Sequence, residues 1–371
     1  MKQKLGTVVI ALLAITTING QENNLPKEIK VGTERIKARK EIKMPQIPGY
    51  TILKCDFHMH TIFSDGIVWP TLRVDEAWEE GLDAIAITDH IEGQPARPAI
   101  QKGNHNNSYN LAKERALESD ILLIRAGEIT RSMPPGHLNA LFLTDVNALD
   151  KPNYVDAIEE ANKQGAFVFW NHPGWGVDQI KWHAVHDTLY QKGWLHGIEV
   201  YNEFEWYPVA LNWANEKNLT LISNTDTHDV IERLYDFRQT RHRPMTLVLA
   251  RERSEASLKE ALFEHRTILY FYDTLIGSEA NLTTFFNASI QVKPAHHTTT
   301  KRQFAHLSNL TDVAFKLRKT DASAPGYPET IHIPAGATIR LALPVEARHN
   351  VAYEVENLHI TPTKNLQVSL F

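Results

Sequence analysis

Within residues 50–276, short apolar segments alternate with amphipathic segments of helical length, and this alternation limits the possible folds more than any other feature. It predicts strand–helix units around a parallel sheet. The predicted strands are 52–57, 84–88, 121–126, 138–143, 166–170, 197–201, 219–223 and 246–250. The predicted helices are 70–80, 109–118, 155–163, 178–190, 208–215 and 256–264. The number of units favours an α/β TIM-like barrel over residues 51–277, while an open doubly wound sheet is also compatible with it.

The C-terminal region has a different pattern. Segments such as TTFFNASIQV, HLSNLTDVAFKLRK and ETIHIPAGATIRLALPV are strand-like and are separated by turn residues. We therefore predict a small all-β, sandwich-like module over residues 278–371. Residues 21–50 are rich in Lys, Glu and Pro and are predicted to be a linker.

Residues 1–20 have the pattern of a secretory signal peptide. Lys2 and Lys4 precede a short apolar stretch from Val8 to Ile15, and the small residue Gly20 follows. This stretch is shorter than the roughly 20 apolar residues that span a membrane, which predicts export to the periplasm or the medium and no transmembrane anchor. An uncleaved N-terminal anchor is the alternative.

Histidine is unusually frequent in this chain. Its 371 residues include 18 histidines but a single cysteine, Cys55. Because histidine is the commonest metal ligand, this composition directs attention to metal chemistry. The formal net charge is −5, and the sequence has no basic face that would favour duplex nucleic acid as a partner.

Histidines and carboxylates recur after successive predicted strands. In a parallel barrel the C-terminal ends of the strands meet on one face, so these side chains are expected to converge. The residues concerned are His58, His60, Asp65, His90, Glu128, His137, His172, Asp226 and His228.

The spacing and the chemistry of these residues predict a multinuclear metal centre. In an extended chain, residues two apart project on the same side, so His58 and His60 can bind one ion, as can Asp226 and His228. Imidazole and carboxylate ligands without thiolate suit Zn, Mn or Fe. A single histidine after a strand is more often structural, but the repetition favours ligands.

Five motifs occur in a fixed order: DFHMHTIFSDG, ITDH, GEIT followed by GH, NHP, and SNTDTH. Together they resemble the motif series of the PHP (polymerase and histidinol phosphatase) superfamily of metal-dependent phosphoesterases, over about residues 52–276. The resemblance implies a distorted (β/α)7 barrel with up to three divalent metal ions at its C-terminal face.

The resemblance also implies how the ligands are divided among these ions. It would place His58, His60, Glu128 and Asp226 on the first metal, with Glu128 bridging to a second metal held by His137 and His172, and Asp65, His90 and His228 on the third. All of these positions carry residues of the expected type.

The implied reaction is metal-assisted hydrolysis of a phosphate ester by a hydroxide that bridges two metals. We predict Glu128 and Asp226 as catalytic residues, together with Arg131, which could also bind the substrate by clamping phosphate oxygens. Asn202 is predicted to bind and orient the substrate, and Asp89 to support the imidazole of the following residue. A solvated arginine and a turn-forming asparagine are the alternatives at the two substrate positions.

The expected partner is a small-molecule phosphate ester. A phosphodiester is slightly preferred, because an exported enzyme commonly meets diesters derived from nucleotides or lipids. A phosphomonoesterase is the nearest alternative, and hydrolysis of a C–N bond in an amidohydrolase-like barrel is another. A non-catalytic metal-containing surface or carbohydrate-binding protein is the alternative from a different class. The oligomeric state is not predicted.

Overall fold

The computed structural model describes residues 38–92, 103–346 and 350–371 of the chain. The predicted signal peptide, residues 1–20, lies outside these ranges, and the predicted linker is described only from Ala38 onward, so both stay predictions. Residues Arg39–Phe371 form one compact unit. Within the described ranges, no helix is both long enough and apolar enough to cross a membrane.

Strands and helices alternate along the first part of the chain. The strands are β1 (Thr51–Asp56), β2 (Ala84–Ile87), β3 (Leu122–Ile129), β4 (Leu138–Leu141), β5 (Phe167–Trp170), β6 (Gly197–Asn202), β7 (Glu205–Trp206), β8 (Thr220–Asn224), β9 (Met245–Ala250), β10 (Thr267–Phe271) and β11 (Thr274–Gly277). The helices are α1 (Pro70–Glu79), α2 (Asn107–Glu118), α3 (Tyr154–Lys163), α4 (Ala184–Gln191), α5 (Pro208–Lys217), α6 (Ile231–Leu234), α7 (Phe237–Thr240) and α8 (Glu255–Phe263).

The rest of the chain is almost entirely β-structure. It follows one further helix, α9 (Glu279–Ser289). The strands are β12 (Ile290–Thr298), β13 (Gln303–Asn309), β14 (Phe315–Lys319), β15 (Thr330–Ile333), β16 (Thr338–Leu343), β17 (Val351–Thr361) and β18 (Lys364–Leu370).

The barrel strands form a mixed sheet with both parallel and antiparallel pairs. β1, β2 and β3 are parallel, β4 is antiparallel to both β3 and β5, and β5, β6 and β8 are parallel again. β2 (AIAI) and β5 (FVFW) are buried along their whole length, as expected for strands covered on both faces. The predicted class is confirmed: an α/β, TIM-like barrel followed by an all-β region.

The chain changes its pairing partner just beyond the end of β1, and this change brings the two ends of the barrel together. The first five residues of β1 pair with the antiparallel β9. Beyond β1, the chain pairs with the segment that follows β8: Asp226 N donates to His58 O at 2.8 Å, and His60 N donates to Thr227 O at 2.9 Å. These backbone hydrogen bonds place the two histidine-containing segments side by side.

The C-terminal region extends the barrel sheet. β17 pairs in parallel with β11, and β14 and β18 flank β17. β12, β13 and β16 form a separate antiparallel sheet. Phe286 of α9 contacts Phe315 of β14 with ring centroids 5.3 Å apart, and both belong to an apolar core that also contains Val74 of α1 and Leu247 of β9. The two regions therefore share a sheet and a core.

The segment 283–292, predicted as a strand, is mainly helical, and that prediction was wrong. α9 begins after Ser278, whose Oγ accepts a hydrogen bond from the backbone N–H three residues later at 3.2 Å. Leu282, Phe285 and Phe286 then recur at helical spacing and are buried. Threonine and phenylalanine favour strands by propensity, but this N-cap and the buried helical face determine the structure here.

Two other elements differ from the prediction. The strand β4 was predicted as part of a parallel series, but residues 130–137 form a loop without a helix, so the chain returns in the antiparallel direction. The predicted helix 178–190 begins only at Ala184. The backbone N–H of His183 donates a hydrogen bond to His186 Nδ1 at 3.1 Å and so caps the N-terminus of the helix at this position.

The shared core predicts that the barrel and the C-terminal region unfold together. Replacing the buried Phe315 by alanine should lower the free energy of unfolding of the whole chain by about 3–5 kcal/mol, because the cavity opens in the common core. Urea denaturation followed by circular dichroism and by tryptophan fluorescence measures this change. Leu310→Ala, at an exposed position, is the control. Separate transitions, with that of the barrel unchanged in Phe315→Ala, would contradict the expectation.

Candidate metal centre

The nine predicted ligands lie together at one end of the barrel. Seven of them follow strands that run in the same direction, or end such a strand. His137 reaches the same end because it precedes β4, which runs the opposite way. The nine residues are His58 and His60 after β1, Asp65 before α1, His90 after β2, Glu128 in β3, His137 before β4, His172 after β5, and Asp226 and His228 after β8.

Glu128 is the centre of this cluster. The side chain is fully buried, and its Oε2 lies 3.4 Å from His58 Nε2, 3.3 Å from His60 Nε2 and 3.1 Å from His90 Nδ1. The other oxygen, Oε1, lies 2.7 Å from His137 Nδ1. Each oxygen therefore faces its own group of imidazoles, as a carboxylate that bridges two cations does.

Asp226 closes the cluster from the opposite side. Its Oδ1 lies 3.1 Å from His58 Nε2 and 3.0 Å from His60 Nε2, and its Oδ2 lies 3.6 Å from His172 Nε2. The backbone of Asp226 has a left-handed φ of 51°, which is unfavourable for residues other than glycine. Such strain is concentrated at functional sites, where the surrounding structure maintains it.

Asp65 forms the open side of the cluster. Its Oδ1 lies 3.2 Å from His228 Nε2, and its Oδ2 lies 3.3 Å from His90 Nε2. The side chains of Asp65 and His228 are 43% and 40% exposed, whereas those of His58, His60 and Glu128 are not exposed at all. The group formed by Asp65, His90 and His228 is therefore the one most accessible from solvent.

The donor atoms fit divalent cations. Four groups of ligand atoms each lie within 4.8 Å of one another. Four atoms in the cluster are buried and make no hydrogen bond of good geometry with the described residues, although they lie close to one another in pairs: His60 Nε2 is 3.0 Å from Asp226 Oδ1, and His137 Nδ1 is 2.7 Å from Glu128 Oε1. Buried polar atoms are nearly always satisfied, and cations among these lone pairs would satisfy them. The groups are Asp65, His60, His90 and His228; His58, His60 and Asp226; His58, Glu128 and His172; and His90, Glu128 and His137.

The cluster also perturbs the protonation of its members. Burial opposes protonation of His90, but the carboxylates of Glu128 and Asp65 outweigh burial and raise the pKa of His90 to about 11. Burial and the neighbouring His90 instead lower the pKa of His60 to about 4. Since a metal ligand must be deprotonated, cation binding here has to displace protons.

The sequence analysis missed Glu199, which supports two of the histidines. This fully buried carboxylate of β6 accepts a hydrogen bond from His58 Nδ1 at 2.9 Å and one from the backbone N–H of His172 at 2.7 Å. Asn202 Nδ2 and Asn224 Nδ2 also donate to it, at 2.8 Å and 2.9 Å. With Nδ1–H donated to Glu199, the lone pair of His58 is on Nε2, towards Glu128 and Asp226. The available signal was a charged residue inside the apolar strand GIEVYN.

The two residues that were predicted to bind the substrate, Asn202 and Arg131, contact other protein groups in the structure. Asn202 is buried and gives its amide group to Glu199, so its observed contact is with a group that supports the ligands. The guanidinium of Arg131 is ion-paired with Glu92 and donates to the carbonyl oxygens of Thr130 and Lys151. Arg131 still lies in the wall of a cavity next to the cluster.

Asp89 has a different role from the predicted one. Its carboxylate accepts hydrogen bonds from Thr61 N and Oγ1 and from Ser64 Oγ, all within 2.8 Å, and so supports the loop after β1. The oxygens near His90 Nδ1 are instead Thr130 Oγ1, at 2.6 Å, and Glu128 Oε2, at 3.1 Å.

Three cavities open at the cluster. The central cavity, of about 250 Å³, is lined by the ligand side chains themselves. The large cavity, of about 510 Å³, adjoins it along Glu92, Thr130, His137 and His172. The small cavity, of about 240 Å³, adjoins it along Asp226 and His228. Among the described residues, Trp175 alone lines all three.

The loop that carries His137 is held by His186 of α4. His186 Nε2 donates to Pro135 O at 2.8 Å, its Nδ1 accepts from His183 N at 3.1 Å, and its ring stacks on Trp170 with centroids 3.8 Å apart. Both ring nitrogens are thus used by a neutral imidazole. Burial lowers the pKa of His186 to about 4, although the hydrogen bond to Pro135 opposes this shift.

Comparison with solved structures gives an extensive match. A crystal structure of a two-domain protein from Bacteroides vulgatus, described as containing a predicted PHP-like metal-dependent phosphoesterase, is 43% identical to this chain. The match covers 90% of this chain and 98% of that one, with a TM-score of 0.85.

Two further comparisons cover parts of the chain. An uncharacterized protein of Methanocaldococcus jannaschii is 27% identical over 192 residues, which are 47% of this chain and 82% of that protein. Residues 290–371 match a family described as an Ig-like domain. This match covers the strands β12–β18 and begins at the end of α9.

Replacing Glu199 by glutamine should weaken metal binding by about 10–100-fold, because His58 and His172 would lose the carboxylate that orients them. Competition with a chelator, together with elemental analysis of the purified protein, measures the affinity and the metal content. Glu216→Gln, on the exposed face of α5, is the matched control. Unchanged metal affinity in a correctly folded Glu199→Gln variant would show that this carboxylate does not position the ligands.

We expect the His186→Gln variant to lose less stability than the unmodified chain as the pH falls from about 7 to about 4. The folded pKa of about 4 is below the ordinary 6.5, so the unfolded state binds more protons in this window. The neutral, buried ring of His186 therefore makes its full contribution to the free energy of unfolding above about pH 6.5, and roughly 3 kcal/mol of this contribution is lost near pH 4. Urea denaturation at a series of pH values tests this, with the exposed His297→Gln as control. Identical pH dependence in the variant and the unmodified chain would refute it.

Proposed function

Because the chain belongs to the family of two-domain PHP-like metal-dependent phosphoesterases, we propose that it hydrolyses phosphate esters, preferably diesters, with up to three divalent metal ions. The observation that carries this proposal is the convergence of nine histidines and carboxylates, four of which have a buried atom that lacks a hydrogen-bond partner among the described residues. A structural metal site is normally closed by four ligands, whereas this cluster is larger and opens into a cavity.

In this proposal the ligands divide as the family motifs imply. His58, His60 and Asp226 would hold one ion, and His137 and His172 would hold a second. Glu128 would be shared between these two ions, and Asp65, His90 and His228 would hold a third at the accessible side. One group of close donor atoms, His58, His60 and Asp226, corresponds to the first ion, and another contains all three residues assigned to the third ion together with His60. The other two groups both contain Glu128 and combine residues assigned to different ions, as expected around a shared carboxylate.

Bound divalent ions would supply an ionised water molecule at neutral pH and would neutralise phosphate oxygens. The protein side chains have the task of fixing the geometry. Glu199 keeps His58 in the tautomer that leaves Nε2 free to bind, and it also fixes the backbone of His172. In the overall reaction the water oxygen becomes bonded to phosphorus, the ester P–O bond breaks, and the alcohol leaves with a proton.

The shape of the site supports a diester as the substrate. The large and the small cavity adjoin the central cavity along different residues, and Trp175 lies between them. A phosphate group in the central cavity would have room for an alcohol substituent in each of the other two. A monoester would use only one of them.

The test is an assay of the metal-loaded protein against 4-nitrophenyl phosphate and bis(4-nitrophenyl) phosphate, with Mn²⁺, Zn²⁺ or Fe²⁺ added separately. Release of 4-nitrophenol should be faster from the diester. Asp226→Asn should lower kcat by at least about 100-fold, because the loss of a metal ligand removes several kcal/mol of transition-state stabilisation.

Glu216→Gln is again the matched control and should retain full activity. Faster hydrolysis of the monoester would contradict the diester preference alone. A protein with bound metals that hydrolyses neither ester would contradict the enzymatic proposal and would favour a non-catalytic binding protein.

A further inference from the structure

The indole of Trp175 is unusually exposed for a side chain next to a buried site. It is 63% exposed, yet its ring lies 5.2 Å from that of His137 and 5.7 Å from that of His172, measured between centroids. One part of the indole therefore packs on two proposed ligands, and the rest faces the cavities. An exposed aromatic face beside a reactive centre is available for stacking with a ligand.

The loop that carries Trp175 is fixed in position. The backbone N–H of Trp175 donates to His172 O at 2.9 Å. A Cβ atom on Gly174 would lie only 2.6 Å from the ring of Tyr207, so a side chain at this position would force the loop away. Tyr207 is itself buried, and its hydroxyl donates to Glu205 at 2.6 Å. The position of the indole is thus set by packing beneath it.

The wall of the large cavity is mostly apolar, and it carries no net charge from Arg131 and Glu92. Met133, Trp175 and Val177 supply apolar surface. The two charged side chains in the described part of this wall, Arg131 and Glu92, form an ion pair with each other. Because their charges compensate, the cavity suits a neutral group better than a second phosphate or an ammonium group.

The small cavity differs in charge and in size. It has less than half the volume of the large cavity, and its wall includes the carboxylates of Glu203 and Glu205. A neutral ring would fit there less well than in the large cavity. The large cavity, at about 510 Å³, is within the range of sites that bind small organic molecules, and it is larger than a short alkyl group needs.

The geometry points to a ring-binding site for the substrate alcohol: a neutral, planar ring of the phosphate ester occupies the large cavity and stacks on Trp175. The ring lies beside His137 and His172 while the phosphate occupies the central cavity. This inference rests on the proposed function, because the position of the ring is defined relative to the phosphate. It names the substrate class as phosphate esters of ring-bearing alcohols.

Phosphonates test this site without hydrolysis. Their oxygens can bind the metal ions as those of a phosphate do, while the P–C bond is not cleaved. Isothermal titration calorimetry of the metal-loaded, full-length protein would compare phenylphosphonate with methylphosphonate. The unmodified chain should bind phenylphosphonate about tenfold more tightly, because only this ligand stacks on the indole.

Three variants isolate the contribution of the indole. Trp175→Ala should abolish most of the preference for phenylphosphonate, and Trp175→Phe, which keeps an aromatic face, should retain most of it. Trp69→Ala is the matched control, since Trp69 is 46% exposed and does not line the described walls of the three cavities. Both substituted positions are at the surface, so the fold should persist in all three variants, which circular dichroism verifies.

The outcomes separate this inference from the proposed function. Equal binding of the two phosphonates, or an undiminished preference in Trp175→Ala, would overturn the ring site while leaving the phosphate site intact. Failure of both phosphonates to bind would overturn both proposals. A third ligand, 5′-deoxy-5′-phosphonothymidine, in which phosphorus is bonded directly to C5′, distinguishes the source of the ring: tighter binding than phenylphosphonate indicates a nucleoside, and weaker binding indicates a simple aryl alcohol.

Discussion

The structure depends on keeping negative charge inside the barrel. Glu128 and Glu199 are completely buried, and Asp226 is nearly so. A buried carboxylate costs several kcal/mol unless charges or hydrogen bonds compensate it. Glu199 is compensated by four hydrogen-bond donors, two of them from asparagines. Glu128 and Asp226 instead face imidazoles, and cations are the natural remaining partners for them.

The residues that compensate these buried carboxylates lie where the barrel is closed. The segment after β8 bonds to the segment after β1 through backbone groups of Asp226, Thr227, His58 and His60. The same few residues therefore join the two ends of the barrel and carry ligands. A substitution can therefore remove one of these side chains without removing the pairing, because the pairing uses only main-chain atoms.

The barrel strands and most of the helices could be predicted from the sequence, and so could the convergence of nine histidines and carboxylates at one end of the barrel. Apolar strand patterns and the order of five motifs were sufficient, because all of these residues except Asp65 lie within a few residues of a strand end. Glu199 could not be assigned in this way, since its role depends on contacts with His58, His172 and Asn224, which are distant in sequence. The helix α9 was missed because its strand-like residues pack as a helical face against the C-terminal strands.

The sequence by itself determined the class of fold and the chemistry of the donor set, because periodicity and residue type are local properties. Only the tertiary structure decided which partners each side chain has. It paired Arg131 with Glu92, gave the amide of Asn202 to Glu199, and placed Trp175 between two cavities. Distances and cavities arise from packing between remote segments, so no local pattern contains them.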